Sequence, residues 1–421
     1  SRIDRLIAER CPDGVEFKPL GEFAELVRGN GMPKPDFTEA GVGCIHYGQI
    51  YTRYGVWATE TVTFVAPETA RPLAKVDPGD LIITNTSENL EDVCKAVAWL
   101  GRAQIVTGGH ATVIKHRQDP KYLSYYLRTP AFFAQKKKHA TGTKVIDVSA
   151  KSLAKILIPI PPLEIQQEIV SILDKFTKLE AELEAELEAR RAQYKHYRDA
   201  LLTFGERTDS QASKQASKQA TSVTLMAMAE VAEIRSGWGF PNARQGQKEG
   251  DYPFYKVSDM NLVGNETIMT GANNYIDDST AKKLGVTPAP AGTVIFPKIG
   301  AAVATNKKRL LSAPSAYDNN VMGLIPGKKI NPRFLFFWMQ TIDLSGLAHD
   351  SGAVPSIRKS EMERLQIPVP SLDEQERIVS ILDKFDALVN DLSSGLPAEI
   401  KARRQQYEHY RDRLLTFKEA V

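Results

Sequence analysis

The sequence predicts an α+β protein built from two mixed α/β globules and two long helices. A long block of residues occurs twice, and its apolar residues follow helical spacing. The segments before each block instead hold short β-rich runs separated by glycine, proline and asparagine. The chain has 421 residues, which is more than one hydrophobic core usually serves.

The repeated block is the clearest feature of the chain. Residues 158–176 read IPIPPLEIQQEIVSILDKF and residues 367–385 read IPVPSLDEQERIVSILDKF. Further on, RRAQYKHYRDALLTF at 190–204 matches RRQQYEHYRDRLLTF at 403–417, so the second copy is four residues longer in its middle. These matches indicate a duplication, in which each half is a variable segment followed by a near-constant one. The constant parts should meet the same partner twice, and the variable parts should meet different ligands.

Each constant block predicts a long helix. Its apolar residues recur mainly at spacings of three and four, as in a coiled coil, and Pro161 and Pro162 stand just before the first helix, where proline is tolerated. We predict a helix from about 164 to about 204, and an interruption or kink of the second helix at Ser393–Pro397. The residues predicted to pack in these helices are Ile172, Phe176, Leu179, Leu183, Tyr194, Tyr197, Ile381, Phe385, Tyr407 and Tyr410.

The variable segments predict mixed α/β globules. Short strands are expected at Asp80–Thr84, Ala111–Ile114 and Thr293–Phe296, with one helix near the end of each segment, at Tyr122–Leu127 and Phe334–Met339. Between the halves, GERTDSQASKQASKQATS is polar and of low complexity, which favours a flexible linker. The predicted domains are a first globule at 1–157, a first helical spacer at 158–204, a linker at 205–222, a second globule at 223–366 and a second helical spacer at 367–421.

Composition and missing motifs exclude several classes of function. No stretch of about 18 uncharged apolar residues occurs, so a membrane span is not expected. The charged start of the chain lacks the apolar core of a signal peptide, and Cys11, Cys44 and Cys94 form no C-x-x-C pair, which favours reduced thiols in the cytoplasm. The net charge of +3 does not by itself suggest nucleic acid.

The chain also lacks the motifs that would mark an active site. It has no phosphate-binding G-x-x-x-x-G-K-[ST] loop, no Asn-Pro-Pro-aromatic run of an amino-group methyltransferase and no histidine spacing for a metal. His196 and His409 occupy equivalent repeat positions and are interpreted as structural, and Gly108–His110 as a turn. We therefore predict no catalytic residue, no metal site and no cofactor in this chain.

The order of variable and constant segments resembles that of the specificity subunits of type I restriction–modification systems. The resemblance is carried by I-P-[IV]-P-x-L-x-x-Q-x-x-I-V-x-I-L-D-K-F followed by R-x-Q-Y-x-x-Y-R-D-x-L-L-[ST]-F, at 158–204 and again at 367–417. The repeated Leu-Glu-Ala-Glu units at Leu179–Glu186 are similar to the short tetrapeptide repeats of one class of this family.

The resemblance implies a fold and a set of partners. The two globules would be target-recognition domains, each reading one half of a split, asymmetric site on double-stranded DNA. The two helices would pack antiparallel as a coiled-coil spacer that holds the domains a fixed distance apart, in a pseudo-two-fold chain whose ends lie close together. Two modification subunits would use S-adenosylmethionine to methylate adenine N6, and nuclease–translocase subunits would join for restriction.

Candidate DNA-binding residues follow from side-chain chemistry, because bases are read by polar side chains and phosphates are held by Lys and Arg. In the first globule these are Tyr47, Gln49, Arg53, Tyr54, Lys136 and Lys144. In the second globule these are Lys256, Ser258, Asp259, Lys298, Lys307, Arg309, Arg358 and Lys359.

Two alternatives stay open at this point. A methyltransferase or nuclease with divergent motifs predicts tight binding of S-adenosylmethionine or a metal by the isolated chain. A scaffold that binds only proteins predicts no salt-dependent DNA binding, whereas phosphate contacts would make the affinity for DNA fall steeply with salt.

Overall fold

The chain divides into two compact units. A computed structural model describes residues 2–204, 223–349, 354–391 and 394–420. Unit 1 comprises residues 1–181 and 402–421, and unit 2 comprises residues 182–401, so each unit joins one variable segment to parts of both constant blocks. The predicted linker at 205–222 lies outside the described residues, and the predicted domain boundaries stay predictions.

Unit 1 is built on two five-stranded sheets. The strands are β1 Phe17–Pro19, β2 Glu25–Arg28, β3 Phe37–Thr38, β4 Val42–Ile45, β5 Trp57–Ala58, β6 Thr63–Val65, β7 Ala74–Val76, β8 Leu81–Thr84, β9 Thr86–Ser87, β10 Ala96–Trp99, β11 Ile105–Thr107, β12 Ala111–Lys115, β13 Ile146–Asp147 and β14 Leu157–Pro159. The strand orders of the two large sheets are β2-β12-β8-β10-β5 and β3-β6-β4-β11-β7, and the two-stranded sheets β1-β14 and β9-β13 complete the unit. The strands predicted from the β-rich runs at 80–84 and 111–114 are thus confirmed as β8 and β12.

The helices that begin in unit 1 include the long helix of the first constant block. This helix runs over Leu163–Leu202, which confirms the prediction to within two residues at each end. Short helices of the unit lie between the strands. The helices are α1 Arg2–Arg10, α2 Leu20–Phe23, α3 Tyr47–Thr52, α4 Pro67–Ala70, α5 Pro120–Tyr126, α6 Pro130–His139, α7 Ala150–Leu153 and α8 Leu163–Leu202.

Unit 2 repeats much of this order of elements. Its strands are β15 Thr224–Ala227, β16 Ala232–Ser236, β17 Tyr252–Tyr255, β18 Ile268–Met269, β19 Tyr275–Ile276, β20 Val294–Pro297, β21 Arg309–Leu311, β22 Ala316–Tyr317, β23 Val321–Pro326 and β24 Gln366–Val369. They form sheets with the strand orders β16-β23-β20-β21-β18, β19-β17-β22 and β15-β24. The helices are α9 Met228–Val231, α10 Asp278–Leu284, α11 Pro332–Met339, α12 Lys359–Arg364, α13 Leu372–Asn390 and α14 Leu396–Leu414.

The interruption predicted in the second constant helix is confirmed. α13 ends at Asn390 and α14 begins at Leu396, with Pro397 in its first turn, where its missing N–H costs nothing. A Cβ on Gly395 would lie 2.5 Å from the Ala387 carbonyl oxygen, so only glycine fits at this turn. The first copy has no proline or glycine at this place, and α8 continues.

A buried glutamine ties each constant helix to its globule. In unit 1, Gln166 Oε1 accepts from the backbone N–H of Asp119, the residue that caps α5, and Gln166 Nε2 donates to the carbonyl of Pro161. In unit 2, Gln375 makes the equivalent bonds to the α11 cap Asn331 and to Pro370. Both glutamines are fully buried, so these bonds are shielded from water.

Replacing Gln166 with Ala is expected to lower the free energy of unfolding by about 2 kcal/mol, because the Asp119 N–H and Pro161 carbonyl would be left buried without partners. Urea denaturation of the full chain measures this loss. The exposed neighbour Gln167 provides the matched control, and Gln167→Ala should change the free energy by a few tenths of a kcal/mol at most. Equal losses in the two variants would contradict the assigned role.

Aromatic stacks occur at matching positions of the helices in each unit. In unit 1, Phe176 stacks on Tyr410 with ring centroids 5.2 Å apart, and in unit 2, Tyr197 stacks on Phe385 at 5.3 Å. The Glu180 carboxylate also binds Arg404 Nε at 2.5 Å in unit 1. Phe176 pairs with Tyr410 and the later residue Glu180 pairs with the earlier residue Arg404. Within unit 1, α8 and α14 are therefore antiparallel.

The prediction that the first constant helix packs through one set of apolar residues is wrong in one respect. Leu173, which the prediction omitted, is fully buried and packs with Ile165 and Ile169 against the core of the globule. The predicted Ile172 is only half-buried. The helix therefore carries two apolar faces, because it covers the globule on one side and meets α14 on the other.

The remaining predicted packing residues differ in burial. Tyr407 packs with Tyr125 of the globule, with ring centroids 6.4 Å apart. Like Leu173, it therefore contacts the globule as well as the neighbouring constant helix. Leu183 and Tyr194 are buried, and burial raises the pKa of Tyr194. Leu179 and Ile381 are half-buried.

Candidate nucleic-acid interface

The short helix α3 of unit 1 carries several predicted DNA-binding residues. It follows β4, and a capping box fixes its start: the His46 ring accepts from the Gly48 N–H, and Gln49 Oε1 accepts from the His46 N–H. The Gln49 amide also donates to Thr63 Oγ1 at 3.1 Å, so its polar groups are already used inside the unit. The Tyr54 hydroxyl accepts from the Val62 N–H, and burial raises its pKa. Gln49 and Tyr54 therefore serve structural roles here and do not fit the base-contact prediction.

An aromatic cluster surrounds Tyr47 at the start of α3. The Tyr47 ring lies 4.4 Å from His46 and 5.0 Å from His110, measured between ring centroids. Nδ1 of His110 is hydrogen-bonded to Thr86 Oγ1 at 3.0 Å, and the Tyr51 hydroxyl donates to the Thr86 carbonyl at 2.5 Å. Burial, reinforced by the positive charge of Lys34, lowers the pKa of His46. Tyr47, Tyr51, Thr86 and His110 thus form one polar–aromatic surface, which we call the unit 1 surface.

Lys144 and Arg53 are exposed beside elements of this surface. Lys144 precedes β13, and β13 pairs with β9, the strand that holds Thr86. Arg53 is the C-cap residue of α3. Both side chains are exposed, and their contact with DNA stays a prediction.

Lys136 does not fit the prediction of a phosphate contact. It is only 4% exposed, and its Nζ donates to the backbone carbonyls of Glu91 and Val93 at 3.0 and 2.6 Å. Burial lowers its pKa. Phe132 lies one helical turn earlier on the same buried face of α6, a spacing that could have identified Lys136 as the inward member of the three consecutive lysines.

Unit 2 places a short 3-10 helix at the position that α3 occupies in unit 1. It spans Val257–Asn261 and follows β17. Asp259 is fully buried, accepting from the Lys256 N–H at 2.7 Å and from the Asn273 side-chain amide at 2.7 Å. Asp259 therefore caps this helix as Gln49 caps α3, and its position does not fit the prediction of a base contact. Ser258 is exposed.

Lys256 and Lys298 of unit 2, both predicted to bind DNA, lie near the turn at 318–320. This turn matches the Gly108–His110 turn of unit 1. Lys298 follows β20, its Nζ donates to Ser236 Oγ at 3.0 Å, and its backbone N–H donates to the carbonyl of Asn320. Asp318 begins the turn between β22 and β23, and burial raises its pKa although the positive charge of Lys256 acts in the opposite direction. Burial lowers the pKa of Lys298.

The other predicted cations of unit 2 divide into two groups. Arg358 and Lys359 are exposed at the start of α12, and the residue before them, Ile357, donates its N–H to the Lys298 carbonyl. Lys307 and Arg309 instead bind the far end of the 257–261 helix, through the Asn261 side chain and the Met260 carbonyl.

Arg309 is half-buried within unit 2. It lines a cavity of about 250 Å³ together with Tyr194 and Arg198 of α8 and Phe336 of α11. Burial lowers the pKa of its guanidinium. Its predicted contact with DNA therefore does not fit this position.

The described residues place no group of three or more His, Cys, Asp or Glu side chains where it could hold a metal ion. The three cysteines are free thiols, and burial raises the pKa of Cys94 to about 12. Within the described part of the chain, no helix has the length and apolar character needed to cross a membrane.

Comparison with known proteins identifies the family. A family model described as the type I restriction modification DNA specificity domain matches residues 12–189 and 222–402, so the chain belongs to the family of type I restriction–modification specificity subunits. The resemblance inferred from the repeated block is thus confirmed, and DNA sequence recognition is the function of this family.

Individual relatives agree with this assignment. The chain is 33% identical over 309 residues to the Escherichia coli type I restriction enzyme EcoR124I/EcoR124II specificity subunit, covering 70% of each chain. A Haemophilus influenzae protein named as a candidate type I specificity subunit is 27% identical over 98% of this chain and 99% of its own length.

Solved structures show a similar fold at low sequence identity. The type I S subunit from M. genitalium is 13% identical, with a TM-score of 0.53 over 96% of each chain. A chain from a structure of the type I R-M system, described for complex assembly and conformational transition, is 16% identical, with a TM-score of 0.60 over 96% of this chain and 97% of its own.

Proposed function

We propose that each unit reads one half of a split, asymmetric site on double-stranded DNA. The observation that carries this proposal is that the two units present different side chains at matching places. The helix N-cap, the residue after the central strand and the last residue of the turn are His46, Asn85 and His110 in unit 1, but Lys256, Lys298 and Asn320 in unit 2. A repeated frame with different polar residues suits the recognition of two different short sequences.

The chain is a recognition and scaffold subunit with no catalytic site and no cofactor of its own. The constant helices, with their matching aromatic stacks, suit the docking of the same partner twice. We infer that two modification subunits dock on this chain, bind S-adenosylmethionine and methylate adenine N6. Nuclease–translocase subunits join them for restriction, and the complex acts in the cytoplasm.

Phosphate contacts are expected from the exposed lysine beside the unit 1 surface. Replacing Lys144 with Ala should weaken binding of the full chain to a fluorescein-labelled duplex by a similar factor for every sequence, and should reduce the slope of log affinity against log salt by about 1, because one phosphate contact is lost. Fluorescence anisotropy titrations over a range of salt concentrations measure this slope.

The buried Lys136 provides the matched control. Lys136→Met should leave the salt slope unchanged and lower the free energy of unfolding by about 2 kcal/mol, since the Glu91 and Val93 carbonyls lose their donor. A wild-type chain that binds no DNA at low salt would contradict the proposed function and favour a scaffold for proteins. Tight binding of S-adenosylmethionine or a metal by the isolated chain would favour a catalytic role.

A further inference from the structure

The Gly108–His110 turn of unit 1 holds a histidine in a rarely used backbone conformation. His110 has a φ of +66°, in the left-handed region that only a few per cent of residues other than glycine adopt, Asn, Asp and His more often than the rest. Such backbone strain persists where the surrounding structure enforces it, and it clusters at functional sites. The sequence alone suggested only a turn.

The turn is held rigidly by its neighbours. A Cβ on Gly108 would lie 2.2 Å from the Met32 Cβ, and a Cβ on Gly29 would lie 1.9 Å from the Gly108 carbonyl oxygen, so the two segments approach as closely as their backbones permit. The His110 carbonyl accepts from the Asn85 N–H at 2.8 Å. The position of the His110 backbone is therefore fixed on both sides.

The His110 ring is also fixed, yet it is open to solvent. Nδ1 is bonded to Thr86 Oγ1 and one side of the ring packs toward Tyr47, while the residue as a whole is exposed. Among the described residues, Nε2 of His110 has no hydrogen-bond partner. A neutral imidazole with one nitrogen occupied presents the other as a single donor or acceptor in a set direction.

We propose that His110 is a specificity-determining residue that reads a base edge of the unit 1 half-site through Nε2. This inference rests on the proposed function and deepens it. Thr86 and Tyr47 are positioning residues, because they orient the ring before DNA arrives and so reduce the ordering cost of binding. A lysine at this place would contact any phosphate, whereas a ring with one directed nitrogen bonds only a base-edge group that lies along that direction in the major groove.

The test maps N6-methyladenine across the genome of a methylation-free host that expresses the full chain with its modification subunit. His110→Asn keeps a residue that tolerates the left-handed region, and His110→Gly removes any strain, so both variants should fold. At one position of one half-site, we expect the preference for the recognised base over the other bases to fall about tenfold in each variant. The other half-site should stay unchanged. Thr86→Val should relax the same position to a smaller degree.

The outcomes separate this inference from the proposed function. A wild-type chain that directs no split methylation motif overturns both. A split wild-type motif that every His110 variant reproduces with identical base frequencies leaves the proposed function standing, and shows that His110 only shapes the turn. A uniform loss of methylation without any change in the motif would likewise overturn the reading role.

Discussion

Inserting one further Leu-Glu-Ala-Glu unit after Glu182 is expected to lengthen the unread gap of the DNA site by one or two base pairs, without changing either half-site. α8 is continuous from Leu163 to Leu202 and already contains two such units at Leu179–Glu186. Four helical residues add about 6 Å and slightly more than one turn, so the apolar face stays within about 40° of its original direction. A base pair of duplex occupies about 3.4 Å, which sets the size of the expected change.

The same four residues inserted in the predicted linker at 205–222 provide the control, since that segment should not set the gap. Genome-wide methylation mapping reads both variants. A gap that stays the same after insertion in α8, in a chain that still methylates, would show that this helix does not space the two half-sites.

Replacing Arg333 with Ala is expected to lower the free energy of unfolding by about 3 kcal/mol. The Arg333 guanidinium, on α11, binds the Asp383 carboxylate through Nε at 2.9 Å and lies 3.4 Å from Asp386, both on α13. It also packs over the ring of Phe337, 4.7 Å from the ring centroid. Asp386 is buried, so without the cation its negative charge is offset only by the hydrogen bond that it accepts from the Asn390 side-chain amide.

The equivalent pair in unit 1 provides the matched comparison. Lys121 on α5 binds Asp174 on α8 at 2.6 Å, but Asp174 is more exposed than Asp386 and also accepts from the Tyr125 hydroxyl. Lys121→Ala should therefore cost about 1 kcal/mol. Urea denaturation of both variants measures the difference, and a larger loss for Lys121→Ala than for Arg333→Ala would contradict this reading of the two contacts.

The repeat predicted the helices of the constant blocks well because their signals are local. Helical spacing of apolar residues defined α8, and glycine with proline defined the break between α13 and α14. The repeat also marked Gln166 and Asp174 as identical in both copies, but not what they contact. The role of the glutamine depends on the cap residues of α5 and α11, which lie far away in sequence and reach the glutamine only in the folded chain.

The candidate interface was harder to predict because the type of a residue does not reveal whether its side chain points into the unit or into solvent. Lys136 and Asp259 are polar residues that the fold turns inward to bond backbone or amide groups. His110 and Thr86 lie 24 residues apart in sequence, and the sheet pairing joins them. Lys144 and Arg358 are exposed, and their contact with DNA stays a prediction.

The most direct test of the account is a methylome of a methylation-free host that expresses this chain with its modification subunit. We predict N6-methyladenine in a motif of two different short sequences separated by a gap of fixed length, one sequence for each unit. Methylation of a single uninterrupted sequence, or no new methylation from a soluble, associated pair of subunits, would contradict the claim that each unit reads its own half of a split site.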